Sequence, residues 1–149
     1  MKYVETEIVF REIPNKVTLA INVSGCPYKC KGCHSPHLQR YIGTDLNEEA
    51  IDKLLKKYKG VECICFMGGD AFQPELNKLL RYIKYRYNIL TGWYSGSDKI
   101  SEYIEYKNLD YYKIGSYKED LGPLNCKTTN QVLYGITHSN SLYLIKTHK

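Results

Sequence analysis

The chain has 149 residues, of which 43% are hydrophobic and 25% are charged. This balance is typical of a globular protein, and we expect one domain over residues 1–149. Its formal net charge of +5 is mild and gives little support to nucleic-acid binding. No run of roughly 18 apolar residues is present, which excludes a transmembrane helix and favours an aqueous compartment.

Apolar runs predict a series of strands along the chain. The first, over residues 17–23, leads directly into a cysteine-rich loop. The others are predicted over residues 61–66, about 88–91, 109–114, 131–136 and 142–146. A turn over residues 137–140 joins the last two into a hairpin.

Helices are predicted between these strands. Asn47 is a suitable cap for a helix that ends at Lys59, with apolar residues on one of its faces. Pro74 suits the first turn of a second helix that continues to Tyr87. A third helix is predicted from Ser97 or Asp98 to residue 106.

The alternation of strands and helices predicts an α/β fold with parallel strands and right-handed crossovers. A complete eightfold barrel needs about 200 residues or more, which exceeds this chain. We therefore expect a partial (incomplete) βα barrel of about four to five βα units, or an open sheet, with a hairpin-like C-terminal tail. In either form, functional groups gather at the C-terminal ends of the strands.

Three cysteines lie within the loop that follows the first strand, at the spacing C-x₃-C-x₂-C: Cys26, Cys30 and Cys33. Three thiolates can hold three irons of a 4Fe–4S cluster and leave the fourth iron open to a ligand. A zinc site completed by His34, His37 or Cys126 is the alternative. Structural zinc sites usually combine two separated pairs of ligands, so the single triplet favours an iron–sulfur cluster.

No apolar signal core precedes the cysteine triplet, and we therefore expect a cytoplasmic protein whose thiols are reduced.

A second candidate site follows the next predicted strand, where Gly68 and Gly69 precede Asp70. Residues without a Cβ let a ligand approach the main chain, and the carboxylate can position an ammonium group. A Gly-Gly-Asp sequence alone is most often a simple turn. Its position after a buried strand, at the same expected edge as the cysteine loop, favours ligand binding.

The remaining cysteines carry weaker signals. Cys63 and Cys65 lie two residues apart on a predicted strand and therefore share a face, where small buried side chains are the favoured interpretation. Cys126 follows a Gly-Pro turn and is either a spectator thiol, a redox participant or a fourth ligand of the cluster.

Taken together, these motifs resemble the radical S-adenosylmethionine superfamily. Within it, the chain is similar to the activating proteins of anaerobic ribonucleoside-triphosphate reductases from about Phe10 to Tyr134. The resemblance is carried by residues 23–26, 31–33, 68–70, 91–92 and 129–131. Two stretches differ from the family pattern: relatives carry an Asp-Gly-Lys-Phe-like sequence at residues 113–117, and a Gly-Ser-Ser sequence at 127–129.

The resemblance implies that the three loop cysteines hold a 4Fe–4S cluster and that the cofactor is S-adenosyl-L-methionine. Reductive cleavage of this cofactor gives a 5′-deoxyadenosyl radical, which in this family removes hydrogen from a glycine of the large reductase. A flavodoxin-like or other low-potential protein would donate the electron. The residues expected to contact the cofactor are Gly32, His34, Gly68, Gly69 and Asp70. The alternatives are activation of another glycyl-radical enzyme, or a non-catalytic Fe–S or zinc binding module.

Overall fold

One mixed β-sheet of eight strands organises the protein in a computed structural model that describes residues 1–33 and 35–146. The strands are β1 (Lys2–Val9), β2 (Thr18–Val23), β3 (Thr44–Asp45), β4 (Cys63–Met67), β5 (Leu90–Tyr94), β6 (Tyr111–Ile114), β7 (Val132–Ile136) and β8 (Leu142–Lys146). Their order across the sheet is β3-β1-β2-β4-β5-β6-β7-β8.

The four central strands β2, β4, β5 and β6 run parallel. Ala20 lies opposite Cys65, and Cys65 lies opposite Gly92 in the next strand. The parallel direction brings the loops after these strands to one edge of the sheet. Strands β1 and β3 flank them on one side and β7 and β8 on the other, all in antiparallel pairing. Curvature of this sheet into a partial barrel stays a prediction.

Two α-helices pack on one face of the sheet. Helix α1 (Glu48–Lys57) begins where the side-chain Oδ1 of Asn47 accepts a hydrogen bond from the amide of Ala50 at 2.9 Å, which confirms the predicted cap. Helix α2 (Gln73–Arg86) has Pro74 in its first turn. The core between helices and sheet contains Ile21, Ile51, Phe66, Leu80, Trp93 and Tyr112. Burial of such side chains contributes about 1.5–3 kcal/mol each to stability.

The opposite face of the sheet carries a smaller buried cluster. Cys63 and Cys65 alternate with residues of the main core along β4, so their thiols lie on the face that the helices leave uncovered. Ile13, from the turn between β1 and β2, packs against both cysteines, and all three are fully buried. The interpretation of these cysteines as packing residues is confirmed.

Two parts of the predicted secondary structure were wrong. Residues 97–105, which lie within the described part of the chain, form bends instead of a helix, and only a short 3₁₀ turn follows at Tyr106–Asn108. The N-terminal strand β1 (Lys2–Val9) was not predicted. The strand predicted near residues 88–91 begins at Leu90 and ends at Tyr94.

No helix within residues 1–33 and 35–146 has both the length and the apolar character needed to cross a membrane.

Candidate iron–sulfur and cofactor site

The cysteine loop is fixed at its start by hydrogen bonds to neighbouring segments. The amide of Ser24 donates to the carbonyl of Lys2 at 2.9 Å, and its hydroxyl donates to the carbonyl of Ile42 at 2.5 Å. The next two amides continue this pairing: that of Gly25 donates to Arg40 O at 3.0 Å, and that of Cys26 to Leu38 O at 2.9 Å. The loop therefore leaves the sheet in a defined direction.

Gly25 allows this close approach. Its φ is +78°, and a Cβ at this position would lie 3.0 Å from the ring of Phe72 and 3.1 Å from the ring of Tyr41. The two rings also contact each other, with centroids 5.3 Å apart. A side chain larger than hydrogen would therefore be strained in the backbone and crowded by aromatic carbon.

The three candidate ligands Cys26, Cys30 and Cys33 are all half-buried free thiols. The amide of Cys33 donates to the carbonyl of Cys30 at 3.1 Å, which closes the turn between the second and third cysteines. Burial raises the pKa of the Cys26 thiol above its ordinary value. Asp70, Cys30 and Cys33 act on this pKa in the same direction.

Among the described residues, no three His, Cys, Asp or Glu side chains converge on the position of a single metal ion. His37, one candidate to complete a zinc site, has its Nε2 2.7 Å from a carboxylate oxygen of Glu5.

Gly32 brings the cysteine loop against the segment that follows β6. Its φ is +73°, and a Cβ there would lie 2.9 Å from Cδ of Glu119. Glycine thus serves both the backbone conformation and the close packing at this point. His34, the other residue of this loop predicted to line the cofactor, lies outside the described residues.

The Gly-Gly-Asp turn follows β4 directly. Gly68 and Gly69 have φ values of +102° and +96°, and a Cβ on Gly68 would lie 3.2 Å from the carbonyl oxygen of Val23 at the end of β2. The turn therefore packs against the strand that leads into the cysteine loop. The carbonyl of Gly68 also accepts a 2.8 Å hydrogen bond from Nε1 of Trp93.

Asp70 is 9% exposed, and its carboxylate joins this turn to the loop after β5. Oδ1 accepts a hydrogen bond from the hydroxyl of Ser95, and Oδ2 accepts one from the amide of Gly96 at 3.2 Å. A carboxylate has about four lone-pair positions, so these two bonds leave acceptor capacity for a ligand. The charge of Asp70 is, after burial, one of the influences that raise the pKa of Cys26.

Tyr28 connects the cysteine loop to the same segment. Its ring would meet a Cβ on Gly96 at 2.8 Å, and its hydroxyl is hydrogen-bonded to the side chain of Ser97. Three loops, after β2, β4 and β5, are therefore held together by short contacts. Sequence reasoning did not assign Tyr28 or Ser95 a role.

Two further polar groups lie near this edge and were not predicted. Lys113, on β6, is 7% exposed. On the loop before β7, the side-chain Nδ2 of Asn130 donates to the carbonyl of Ser116 at 3.1 Å. The Oδ1 of Asn130 is buried and has no hydrogen-bond partner within the described part of the chain. An unsatisfied buried acceptor costs about 1–3 kcal/mol unless a ligand or water completes it.

Cys126 lies in the loop after β6 and is half-buried. Its amide donates to the carbonyl of Pro123 at 2.9 Å, and its Sγ lies 2.7 Å from the position that a Cβ on Gly122 would take. These contacts are local to the loop. They explain the glycine at position 122, whose φ is +82°.

The residues at this edge fit a 4Fe–4S cluster in their chemistry. The donor set is three thiols, the ligand type that iron–sulfur clusters use. Gly25 and Gly32 have no side chain, at two positions of the loop where a Cβ would be crowded. The loop is also partly shielded from water, as its half-buried cysteines show.

Comparison with protein families matches residues 16–118 to the family described as "4Fe-4S single cluster domain". The match covers more than half of the chain, and the chain belongs to this family. A 4Fe–4S cluster domain is therefore indicated, in agreement with the prediction from the cysteine spacing. No curated protein and no solved structure matches the chain.

Proposed function

We propose that this protein is a radical S-adenosylmethionine enzyme that activates a glycyl-radical enzyme, with an anaerobic ribonucleoside-triphosphate reductase as its partner. The observation that carries the proposal is the placement of the Asp70 carboxylate. It follows a glycine pair, is 9% exposed, and is held by the hydroxyl of Ser95 and by the amide of Gly96, the residue that packs against Tyr28 of the cysteine loop. A simple electron-transfer module needs the cysteines and has no need of a carboxylate held beside them.

In this proposal, the thiolates of Cys26, Cys30 and Cys33 hold the cluster. When bound, the cluster and S-adenosyl-L-methionine would together supply a one-electron cleavage whose 5′-deoxyadenosyl product takes a hydrogen atom from a glycine of the partner. The protein supplies binding, orientation and exclusion of water. An anaerobic electron donor of low potential, such as a flavodoxin-like protein, would deliver the electron.

Asp70 is proposed to orient the amino group of the cofactor. Its two hydrogen bonds, from Ser95 and Gly96, fix the carboxylate before a ligand arrives. A fixed acceptor loses little conformational entropy on binding an ammonium group. Gly68 and Gly69 leave the main chain open beside it, so that backbone groups can bind the same moiety.

Anaerobic reconstitution with iron and sulfide tests the proposal. We expect an EPR signal of a reduced 4Fe–4S cluster that changes when S-adenosyl-L-methionine is added, together with formation of 5′-deoxyadenosine. Asp70→Asn should keep the cluster signal and weaken the response to the cofactor. Reconstituted protein with a full cluster and neither response would contradict the catalytic proposal and favour a binding module.

Matched cysteine variants separate ligands from other thiols. Cys30→Ser is expected to lose most of its iron, because serine is a poor ligand for this cluster type. Cys63→Ser, which replaces a fully buried thiol of the smaller core cluster around Ile13, is expected to retain its iron. Cys126→Ser is also expected to retain iron, and a loss would indicate four protein ligands and no open iron.

The partner is tested separately by mixing the loaded protein with an anaerobic ribonucleoside-triphosphate reductase. A glycyl-radical EPR doublet on the reductase supports this partner. Formation of 5′-deoxyadenosine without that radical would point to another glycyl-radical enzyme as the substrate.

A further inference from the structure

Lys113 is a buried cation on the face of the sheet that the helices do not cover. It alternates along β6 with Tyr112, which belongs to the main core, so its side chain lies on the side of Cys65 and Tyr94. The side chain is 7% exposed. Its Nζ donates to the carbonyl of Gly115 at 3.1 Å and lies 5.5 Å from the centroid of the Tyr94 ring.

The environment of this ammonium group is unusual for a lysine. Burial lowers its pKa from 10.5 to about 8, and the charge of Asp70 is the largest influence that opposes this decrease. Gly115, whose carbonyl accepts from the ammonium, donates its own amide to the carbonyl of Ser97 at 2.7 Å, in the loop that packs at Gly96 against Tyr28 of the cysteine loop. The side chain is therefore charged near neutral pH, in a region where water does not screen its field.

The backbone of Lys113 is built into the candidate site. Its carbonyl accepts a 2.9 Å hydrogen bond from the amide of Ser95, whose hydroxyl in turn holds Asp70. Because these residues share one hydrogen-bonded unit, the ammonium and the carboxylate keep a fixed relation to the cysteine loop. An exposed lysine on a mobile side chain would have no such constraint.

We infer that Lys113 is a positioning charge that raises the reduction potential of the cluster held by Cys26, Cys30 and Cys33. Reduction adds one negative charge to the cluster, and a buried positive charge nearby stabilises that reduced form. The inference rests on the proposed function in one respect, that these cysteines hold the cluster. It adds a role for a residue that neither the cysteine motif nor the Gly-Gly-Asp turn contains.

Asp70 has the opposite electrostatic effect. Its carboxylate stabilises the oxidised form of the cluster, and Lys113 compensates for it. Removal of the lysine charge takes away a positive charge that stabilises the reduced cluster. It also leaves the buried Asp70 carboxylate without this counter-charge. Each of these two changes lowers the reduction potential. Removal of the carboxylate charge by Asp70→Asn should raise the potential.

The test is an EPR-monitored redox titration of the reconstituted protein in the absence of S-adenosyl-L-methionine. Lys113→Met, which removes the charge, is expected to lower the midpoint potential, and Lys113→Arg, which keeps the charge, is expected to preserve it. Lys99→Met removes an equal charge from an exposed position at the same edge of the sheet, where solvent screens it. This control should leave the potential unchanged.

An unchanged midpoint potential in Lys113→Met at full cluster content would overturn the inference, as would an equal shift in Lys99→Met. Lys113→Gln is titrated in parallel, because it keeps a donor for the carbonyl of Gly115 and protects the fold. The outcome is independent of catalysis: a protein that fails to form 5′-deoxyadenosine can still show, or lack, this shift.

Discussion

The indole Nε1 of Trp93 donates a 2.8 Å hydrogen bond to the carbonyl oxygen of Gly68. This bond joins the main core to the first residue of the Gly-Gly-Asp turn. The indole ring is otherwise stacked on Tyr112, with centroids 5.0 Å apart and an interplanar angle of 13°. The core of the protein therefore sets the position of a loop at the candidate site.

Trp93→Phe is expected to keep the aromatic stack and to lose this hydrogen bond. The half-buried carbonyl of Gly68 then loses its donor, which should lower the free energy of unfolding by about 0.5–1.5 kcal/mol. Urea denaturation of the metal-free protein measures this change. Trp93→Leu serves as a comparison, since it loses the stack as well and should be less stable still.

Gly68→Ala should be more destabilising than the same substitution at Gly60. Both glycines have positive φ values, +102° and +87°, and alanine in this conformation costs about 1–2 kcal/mol at each. A Cβ on Gly60 meets nothing within 4 Å, whereas a Cβ on Gly68 lies 3.2 Å from the carbonyl of Val23. Urea denaturation of both variants checks this; equal losses would show that the contact with Val23 has no energetic effect.

Gly32→Ala should reduce iron incorporation, and Glu119→Ala should restore part of the loss. The introduced methyl group would lie 2.9 Å from Cδ of Glu119, and truncation of that side chain removes the clash while the backbone strain at φ +73° remains. Iron and sulfide content of the single and double variants measures the coupling. Strictly additive losses would contradict the contact between these two residues.

Glu105 should make stability depend on acidic pH. Hydrogen bonds from Asn77 and then Arg81 lower its pKa from 4.5 to about 2. A carboxyl group whose folded pKa is depressed contributes stability above its unfolded pKa, and this contribution is lost as the pH falls from 4.5 toward 2. Solvent screens the group, which is 37% exposed, so the effect is small.

The measurement for this prediction is the urea midpoint of the wild type and of Glu105→Gln across the same acidic range. The wild type should lose stability more steeply. Parallel curves for the two proteins would show that Glu105 gains nothing from its partners in the folded state.

The elements that were predicted correctly depend on local sequence. The cap at Asn47 and the proline in the first turn of α2 act within a few residues of themselves, so they can be identified without a structure. The cysteine spacing is local in the same sense, and the family comparison agrees with it.

The predicted helix after Ser97 failed because serine side chains there bind the backbone of their own loop. The hydroxyl of Ser97 accepts from the amide of Lys99 at 3.1 Å, and that of Ser101 accepts from the amides of Tyr103 and Ile104 at 3.0 and 3.2 Å. Such bonds offer the amides an alternative to helical partners. The spacing of apolar residues along the chain carries no information about this competition.

Lys113 could not be identified from sequence because burial of a lysine depends on neighbouring strands. Residues 111–114 have the tyrosine and isoleucine content of a strand, and a lysine within them suggests a solvent-exposed face. Its ammonium contacts the ring of Tyr94 on the neighbouring strand β5 and the carbonyl of Gly115 beyond the end of β6. The contacts of Asp70 with Ser95 and Gly96 likewise join residues about 25 positions apart.

The pairing of residues 24–26 with Lys2 and with residues 38–42 has a consequence for hydrogen exchange. The amides of Ser24, Gly25 and Cys26 are all donated to carbonyls of these segments. They can exchange with deuterated solvent only when that edge of the structure opens. The exchange rates of these three amides therefore measure how often the start of the cysteine loop opens in the metal-free protein.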